Sequence, residues 1–207
     1  MLFRSNIRFG GVPKALAVED AAFLKPLTAL SDELLAYDRK LFPAPRERFL
    51  EAWISAPGHT GFAAVREGVL VGYAVVRPCR AGAKIGPLFA DDPAVARQLA
   101  KAAIDAAGDG EVFLDTPEPN EEAVALARAL GLEPVFETAR MYRGAAPRVD
   151  LERVYGGTPF EPGSDKTGEG SLGFAPGPVG AVESGHRLWG AVGRGACWEE
   201  GGRAGGS

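Results

Sequence analysis

Three side chains of types that can accept a proton stand near the middle of this chain. Asp115 and Glu118 follow the apolar run 112–114, and His59 lies in the loop-like segment 57–60. Carboxylates and imidazoles are common general bases. Sites in α/β folds gather at the carboxyl ends of central strands, so Asp115 and Glu118 are predicted candidates for a catalytic base. His59 is a further candidate, and a solvated loop side chain is the alternative for each of the three.

The cysteines predict neither a metal centre nor a disulfide framework. Cys79 and Cys197 are the two in the sequence, and their spacing matches no common metal site. We therefore predict free thiols in a reducing compartment and no metal. The sequence opens without a charged start followed by an apolar segment, which favours a cytoplasmic location.

Composition excludes several classes of partner. The 207 residues are 46% hydrophobic and 24% charged, which suits one domain with a sizeable core. The formal charge of −4 argues against a protein that coats nucleic acid or a membrane surface. No apolar run approaches the roughly 20 residues that a bilayer-spanning helix needs.

Alternating helix and strand patterns occupy residues 31 to 155. Helical spacing of apolar residues predicts helices that begin after Ser31, span 46–55, follow Asp92 and follow Asn120. Alternating or continuous apolar runs predict strands at 61–65, 69–76, 84–90, 112–114, 135–142 and 153–155. The short turn 66–68 joins the first two strands into an antiparallel hairpin.

Three positions between residues 84 and 131 carry residues with specific effects on the backbone. Pro87, which follows Gly86, has no N–H to donate, so the strand 84–90 must break into a bulge or a splay there. Asp92 is a good N-cap before Pro93 at the first helical position. Asn120 is expected to cap the next helix.

The two ends of the sequence differ from its middle. Residues 1–12 show no clear period, so we predict an unstructured start. One domain is predicted over 13–161. Sixteen of the 28 glycines fall in the last 52 residues, so residues 162–207 are predicted to be a Gly-rich disordered or non-native tail.

The order of elements and several short motifs resemble the GCN5-related N-acetyltransferase (GNAT) superfamily. Residues 85–89, Ile-Gly-Pro-Leu-Phe, resemble its fourth strand, whose broken pairing opens a wedge for acetyl-coenzyme A (acetyl-CoA). Residues 120–132 resemble its Asn-x-x-Ala-x-x-Leu segment. Segments 38–46, 140–144 and 154–161 look like parts of the C-terminal domain of two-domain, YitH/HolE-type acetyltransferases. The resemblance implies an α/β GNAT-type fold, a twisted mixed sheet with helices on both faces.

This resemblance also implies where acetyl-CoA would bind. The wedge would take the pantetheine arm as an added strand, with N–H groups near Leu88 and Phe89 polarising the thioester carbonyl. A helix N-terminus with small residues would hold the pyrophosphate. The implied coenzyme-binding residues are Gly86, Pro87, Leu88, Phe89, Ala94, Ala96 and Asn120. An ordinary bulge at Gly86 and simple helix capping by Asn120 are the alternatives.

Three positions depart from the family pattern. Asp91 stands where active members carry a basic or amide residue, and Pro93 removes one N–H from the phosphate cradle. Ala127 stands where the family has the tyrosine that protonates the departing thiolate. Tyr142 is the candidate replacement for that acid, with packing in a strand as the alternative.

The resemblance implies transfer of an acetyl group from acetyl-CoA to an amine of a small molecule or peptide. Asp115 or Glu118 would take the proton of the amine. One alternative is a non-catalytic GNAT domain that completes or regulates a second, catalytic GNAT domain. Another is an interaction module without a ligand, which would show a closed wedge and an exposed apolar patch.

Overall fold

The computed structural model describes residues 3–42, 44–141 and 148–158. Its strands are β1 (Phe3–Gly11), β2 (Phe23–Pro26), β3 (Thr60–Arg66), β4 (Val69–Pro78), β5 (Ala83–Ala90), β6 (Val112–Pro117), β7 (Glu133–Met141) and β8 (Val154–Gly156). Its helices are α1 (Asp32–Leu41), α2 (Glu47–Ser55), α3 (Pro93–Ala107) and α4 (Glu121–Ala129), with a short 3-10 helix at Leu151–Arg153.

The strands form one twisted mixed sheet in the order β2-β3-β4-β5-β6-β1-β7, with β8 beside β5. The pair β5–β6 is parallel, and every other pair is antiparallel. A parallel pair needs a long crossover connection, which α3 supplies. The predicted hairpin is confirmed as β3 and β4, with positive φ angles at Glu67 and Gly68 in its turn.

Helices cover both faces of the sheet, as the predicted fold class requires. One core, which includes Leu99 of α3 and Leu126 of α4, lies on one face. The other core includes Leu34 of α1, Leu50 of α2 and the fully buried Tyr73 of β4. The twisted α/β fold predicted from the sequence is therefore confirmed.

Among the four α-helices of the described residues, side-chain caps start three where the sequence places them. The Ser31 hydroxyl accepts a hydrogen bond from the N–H of Leu34 at 3.2 Å. Asp92 accepts from the N–H of Val95 at 2.9 Å to begin α3. Each cap satisfies an N–H group that the helix itself leaves without a partner.

The prediction of an unstructured start is wrong for residues 3–11. They form β1, which pairs with β6 on one side and with β7 on the other. Its stability depends on partners far along the chain: Arg8 pairs with a carboxylate of β6, and Gly10 leaves room for the Phe113 ring. Strand β2, at Phe23–Pro26, was likewise not predicted from the sequence.

Some predictions concern residues outside the described ranges. The Gly-rich tail at 162–207 and the candidate acid Tyr142 both lie there. In the residues that are described, no helix combines the length and apolar character needed to span a bilayer.

Truncation of Phe9 tests whether β1 is an integral strand. Phe9 is fully buried, so Phe9→Ala is expected to lower the free energy of unfolding by about 3–5 kcal/mol in urea denaturation. Val12→Ala, at a side chain that is 67% exposed just after β1, is the control and should change it by no more than about 0.5 kcal/mol. Equal effects of the two substitutions would contradict the placement of β1.

Candidate functional site

The parallel strands β5 and β6 pair over only three residues and then separate. The register joins Ala83, Lys84 and Ile85 to residues 112–114 and extends no further. The break falls at Gly86 and Pro87, whose peptide bond is cis, and the register of β5 with β4 shifts at the same level. The Gly86 carbonyl accepts a hydrogen bond from the Trp53 indole at 3.2 Å. The two strands therefore bound a wedge, at the position that the sequence predicted for a splay.

The strand β8 of the same chain lies in this wedge. It pairs antiparallel with β5, with Leu88 opposite Gly156 and Phe89 opposite Val154. On the other side, the N–H of Gly157 donates to the Asp115 carbonyl at 2.7 Å. The Thr116 hydroxyl also donates to the carbonyl of Tyr155, at 3.2 Å. Residues 154–157 thus bridge the two separated strands.

Asn120 serves both α4 and the segment that leads into β8. Its Oδ1 accepts from the N–H of Ala123 at 3.0 Å, which confirms the predicted cap. Its Nδ2 lies 2.9–3.0 Å from the carbonyl oxygens of Leu151, Glu152 and Val154. An amide nitrogen has two hydrogens, so these contacts use its full donor capacity.

The N-terminus of α3, the predicted phosphate cradle, already holds a carboxylate. Burial alone would raise the pKa of Asp92, but hydrogen bonds from the Val95 N–H and from Arg66 hold the pKa below its ordinary value. Ala94 is exposed beside it. Ala96 is fully buried and its N–H bonds to the Asp92 carbonyl, so the predicted cradle role does not fit Ala96.

The neighbouring Asp91 connects three elements. Its carboxylate accepts a hydrogen bond from the Tyr37 hydroxyl at 2.7 Å and pairs with the Arg153 guanidinium. Burial, together with this hydrogen bond, raises the pKa of Tyr37 far above its ordinary value, so the phenol stays protonated. Asp91 thereby links the start of α3 to α1 and to the residue just before β8.

Asp115 does not fit the predicted role of general base. It is fully buried, and Arg8 donates to both of its oxygens at 2.7 and 3.1 Å. The ammonium of Lys84 donates as well, at 2.5 Å. Burial holds the pKa of Lys84 below its ordinary value, although the charge of Asp115 opposes that shift. The carboxylate is therefore the centre of a structural ion network at the base of the wedge.

The remaining predicted groups lie apart from one another. Glu118 is exposed in the turn between β6 and α4. His59 packs edge-on against Trp53 at 4.6 Å between ring centroids, and its Nδ1 lies 2.7 Å from the Trp53 carbonyl oxygen. Ala127 is fully buried in α4. Within the described residues, no group of three or more His, Cys, Asp or Glu side chains is arranged to hold a metal ion.

Sequence reasoning missed three residues that shape the site. Lys84 and Arg153, to which the sequence analysis assigned no role, pair with carboxylates at the two ends of the wedge. The third residue is Tyr155: burial above all, together with the negative charges of Glu122 and Asp92, raises its pKa to about 12. The one signal in the sequence was Lys84 itself, a lysine inside an otherwise apolar strand. A buried lysine requires an acidic partner, so its position indicates a carboxylate nearby.

Neutralising Asp115 tests the structural role of the network. Asp115→Asn would leave two cations without their shared carboxylate, so we expect a loss of about 3–5 kcal/mol in the free energy of unfolding. Asp105→Asn removes an exposed pair with Lys101 and should change it by no more than about 0.5 kcal/mol. Similar stability of the two variants would argue that Asp115 is free for catalysis.

Comparison with known proteins identifies relatives of this chain. The family model described as "Acetyltransferase (GNAT) domain" matches residues 34–156. A holothin acyltransferase from Pseudoalteromonas sp. (strain SANK 73390) is 29% identical over 124 residues, which cover 59% of this chain and 42% of that protein. The crystal structure of a Pyrococcus horikoshii protein assigned to the acetyltransferases superposes with a TM-score of 0.60 at 26% identity.

That superposition covers 75% of this chain and 50% of the Pyrococcus horikoshii protein. This chain therefore spans about half the length of these relatives. The family match covers more than half of the chain itself and includes both strands of the wedge. The separated strands, the capped helices and this match lead to one conclusion: the chain belongs to the GNAT acetyltransferase family.

Proposed function

We propose that this chain is a domain of an acyltransferase that moves an acetyl group from acetyl-CoA to an amine of a small molecule or peptide. The family match and the likeness to an acyltransferase support the reaction class. The separation of β5 from β6 after Ile85, where the family opens its wedge, is the observation that carries the proposal.

The residues that would hold acetyl-CoA are occupied in this structure. A pantetheine arm would pair with β5 at Leu88 and Phe89, and β8 pairs there instead. The pyrophosphate would lie at the N-terminus of α3, which the carboxylate of Asp92 caps. With β8 in place, the residues present do not fit acetyl-CoA, so no step of the transfer is assigned to the coenzyme here.

Two arrangements of the proposed reaction follow. In the first, β8 leaves the wedge and this chain holds acetyl-CoA itself. Glu118 would then take the proton of the amine, since it is exposed at the carboxyl end of β6 while Asp115 is buried. Tyr142, which lies outside the described residues, is the proposed acid of this arrangement.

In the second arrangement, a second GNAT domain holds acetyl-CoA and this chain completes or regulates the substrate site. The filled wedge favours this arrangement, and so does Ala127, which has no proton to donate and is buried. A ligand-free interaction module would show the same closed wedge, so the filled wedge alone does not separate these two roles.

Release of coenzyme A from acetyl-CoA, measured against a panel of primary amines and short peptides, tests the reaction. We expect turnover when a second GNAT domain accompanies this chain, and only the uncatalysed rate from the 207-residue chain alone. Absence of turnover from the two domains together over the whole panel would contradict the proposed reaction.

Turnover by the chain alone would favour the first arrangement, and a matched pair of variants then tests the role of Glu118 within it. If the chain alone turns over, the first arrangement predicts that Glu118→Gln lowers kcat by roughly 10²–10⁴-fold, because a general base contributes that much. Glu121→Gln changes an exposed carboxylate in the first turn of α4 and should leave kcat unchanged. Equal kcat values for both variants would remove Glu118 from the mechanism.

A further inference from the structure

We infer that the wedge between β5 and β6 is a strand-accepting site whose resident occupant is residues 150–158 of this chain, and that this occupant excludes acetyl-CoA. The inference rests on the observed fold and pairing, and it gives a physical basis to the second arrangement of the proposed function. It concerns binding alone and does not depend on which amine is acetylated.

The occupant is packed as an internal strand of the sheet. Val154 and Tyr155 are 7% and 2% exposed. Val154 contributes to the core beneath α1 and α2, and Tyr155 to the core beneath α3 and α4. Successive side chains of a strand point to opposite faces of the sheet. Strand β8 therefore packs against both hydrophobic cores at the point where β5 and β6 separate.

Polar anchors hold the segment before β8. The Asn120 amide donates to the carbonyls of Leu151, Glu152 and Val154, which fixes the turn that leads into the wedge. Arg153 pairs with Asp91 beside the start of α3, and its guanidinium carbon lies 5.2 Å from the centre of the Tyr37 ring. The segment therefore reaches the same helix end at which a coenzyme phosphate would bind.

A second anchor holds the segment after β8. Arg46 donates to the Thr158 hydroxyl at 2.6 Å. The same guanidinium donates to both oxygens of Asp38, at 2.8 and 2.5 Å, and Tyr73 donates to that carboxylate at 2.5 Å. These side chains are almost completely buried, so Thr158 is fixed to a rigid cluster beneath α1 and α2.

The wedge leaves no room for a side chain at Gly156, in the centre of the occupant. A Cβ atom on Gly156 would lie 2.6 Å from a methyl carbon of Leu114 and 3.1 Å from the Cβ of Leu88. The backbone of β8 thus fills the space between the two strands. A pantetheine arm cannot share that space. At the start of α3, the capping carboxylate of Asp92 lies where the phosphates of the coenzyme would need a positive partner.

Hydrogen exchange on the full chain, with and without millimolar acetyl-CoA, tests the inference. We expect the amides of residues 154–157 to exchange as slowly as those of β5, and acetyl-CoA to change neither rate. Calorimetry is expected to show no saturable heat on addition of acetyl-CoA.

Two pairs of variants make the test specific to the occupant. Gly156→Ala is expected to speed exchange of residues 154–157 on the order of tenfold, because it overpacks the wedge. Gly157→Ala is the control, since its Cβ would meet nothing closer than 3.5 Å. Arg153→Gln, which leaves the wedge itself intact, should speed exchange roughly two- to five-fold. Its control, Arg66→Gln, removes a pair with Asp92 that does not touch the segment.

Two results would overturn the inference. Saturable binding of acetyl-CoA to the unaltered chain would show that the occupant does not exclude the coenzyme, whether or not residues 154–157 then exchange faster. Exchange of those amides at the rate of a free peptide would show that the wedge has no resident strand. Neither result depends on turnover, so failure of this inference is distinguishable from failure of the proposed reaction.

Discussion

The need to pair backbone groups between β5 and β6 is the constraint on which the rest of this domain depends. The two strands share a ladder at residues 83–85 and 112–114 and then part within the sheet. A buried N–H or C=O without a partner costs about as much free energy as a lost hydrogen bond, so the facing edges require an occupant. In this chain the occupant is β8, which is held in place by hydrogen bonds from Asn120 and Arg46 and by the pair of Arg153 with Asp91.

Buried charges secure this division of the sheet. Asp115, with Arg8 and Lys84, ties β6 to β1 and β5 at the base of the wedge. Asp38 with Arg46 forms a second buried pair, on the side of α1 and α2. Removing one member of such a pair leaves an uncompensated buried charge, so substitution of either carboxylate is expected to destabilise the fold, and burial keeps both away from a substrate.

Residues of the family motifs make their contacts within this chain. Asn120 caps α4, as its residue type predicts, and its amide also binds the chain's own carbonyls. The start of α3 still presents a helix N-terminus, but its partner is a carboxylate of the same chain. The family match over residues 34–156 therefore establishes family membership, whereas the role of this particular domain has to be argued from its wedge.

The sequence determined the local structure of this protein and the position of its break. Helix caps at Ser31, Asp92 and Asn120, and the interruption at Gly86, follow from preferences that act within a few residues. The tertiary structure decided which segment lies between the separated strands β5 and β6, and which carboxylates are exposed and which are buried. The places of β1 and β8 depend on partners more than a hundred residues away, such as the pairs of Arg8 with Asp115 (107 residues apart) and of Arg46 with Thr158 (112 residues apart). No local pattern encodes such contacts, because they form only once the strands of the sheet are assembled.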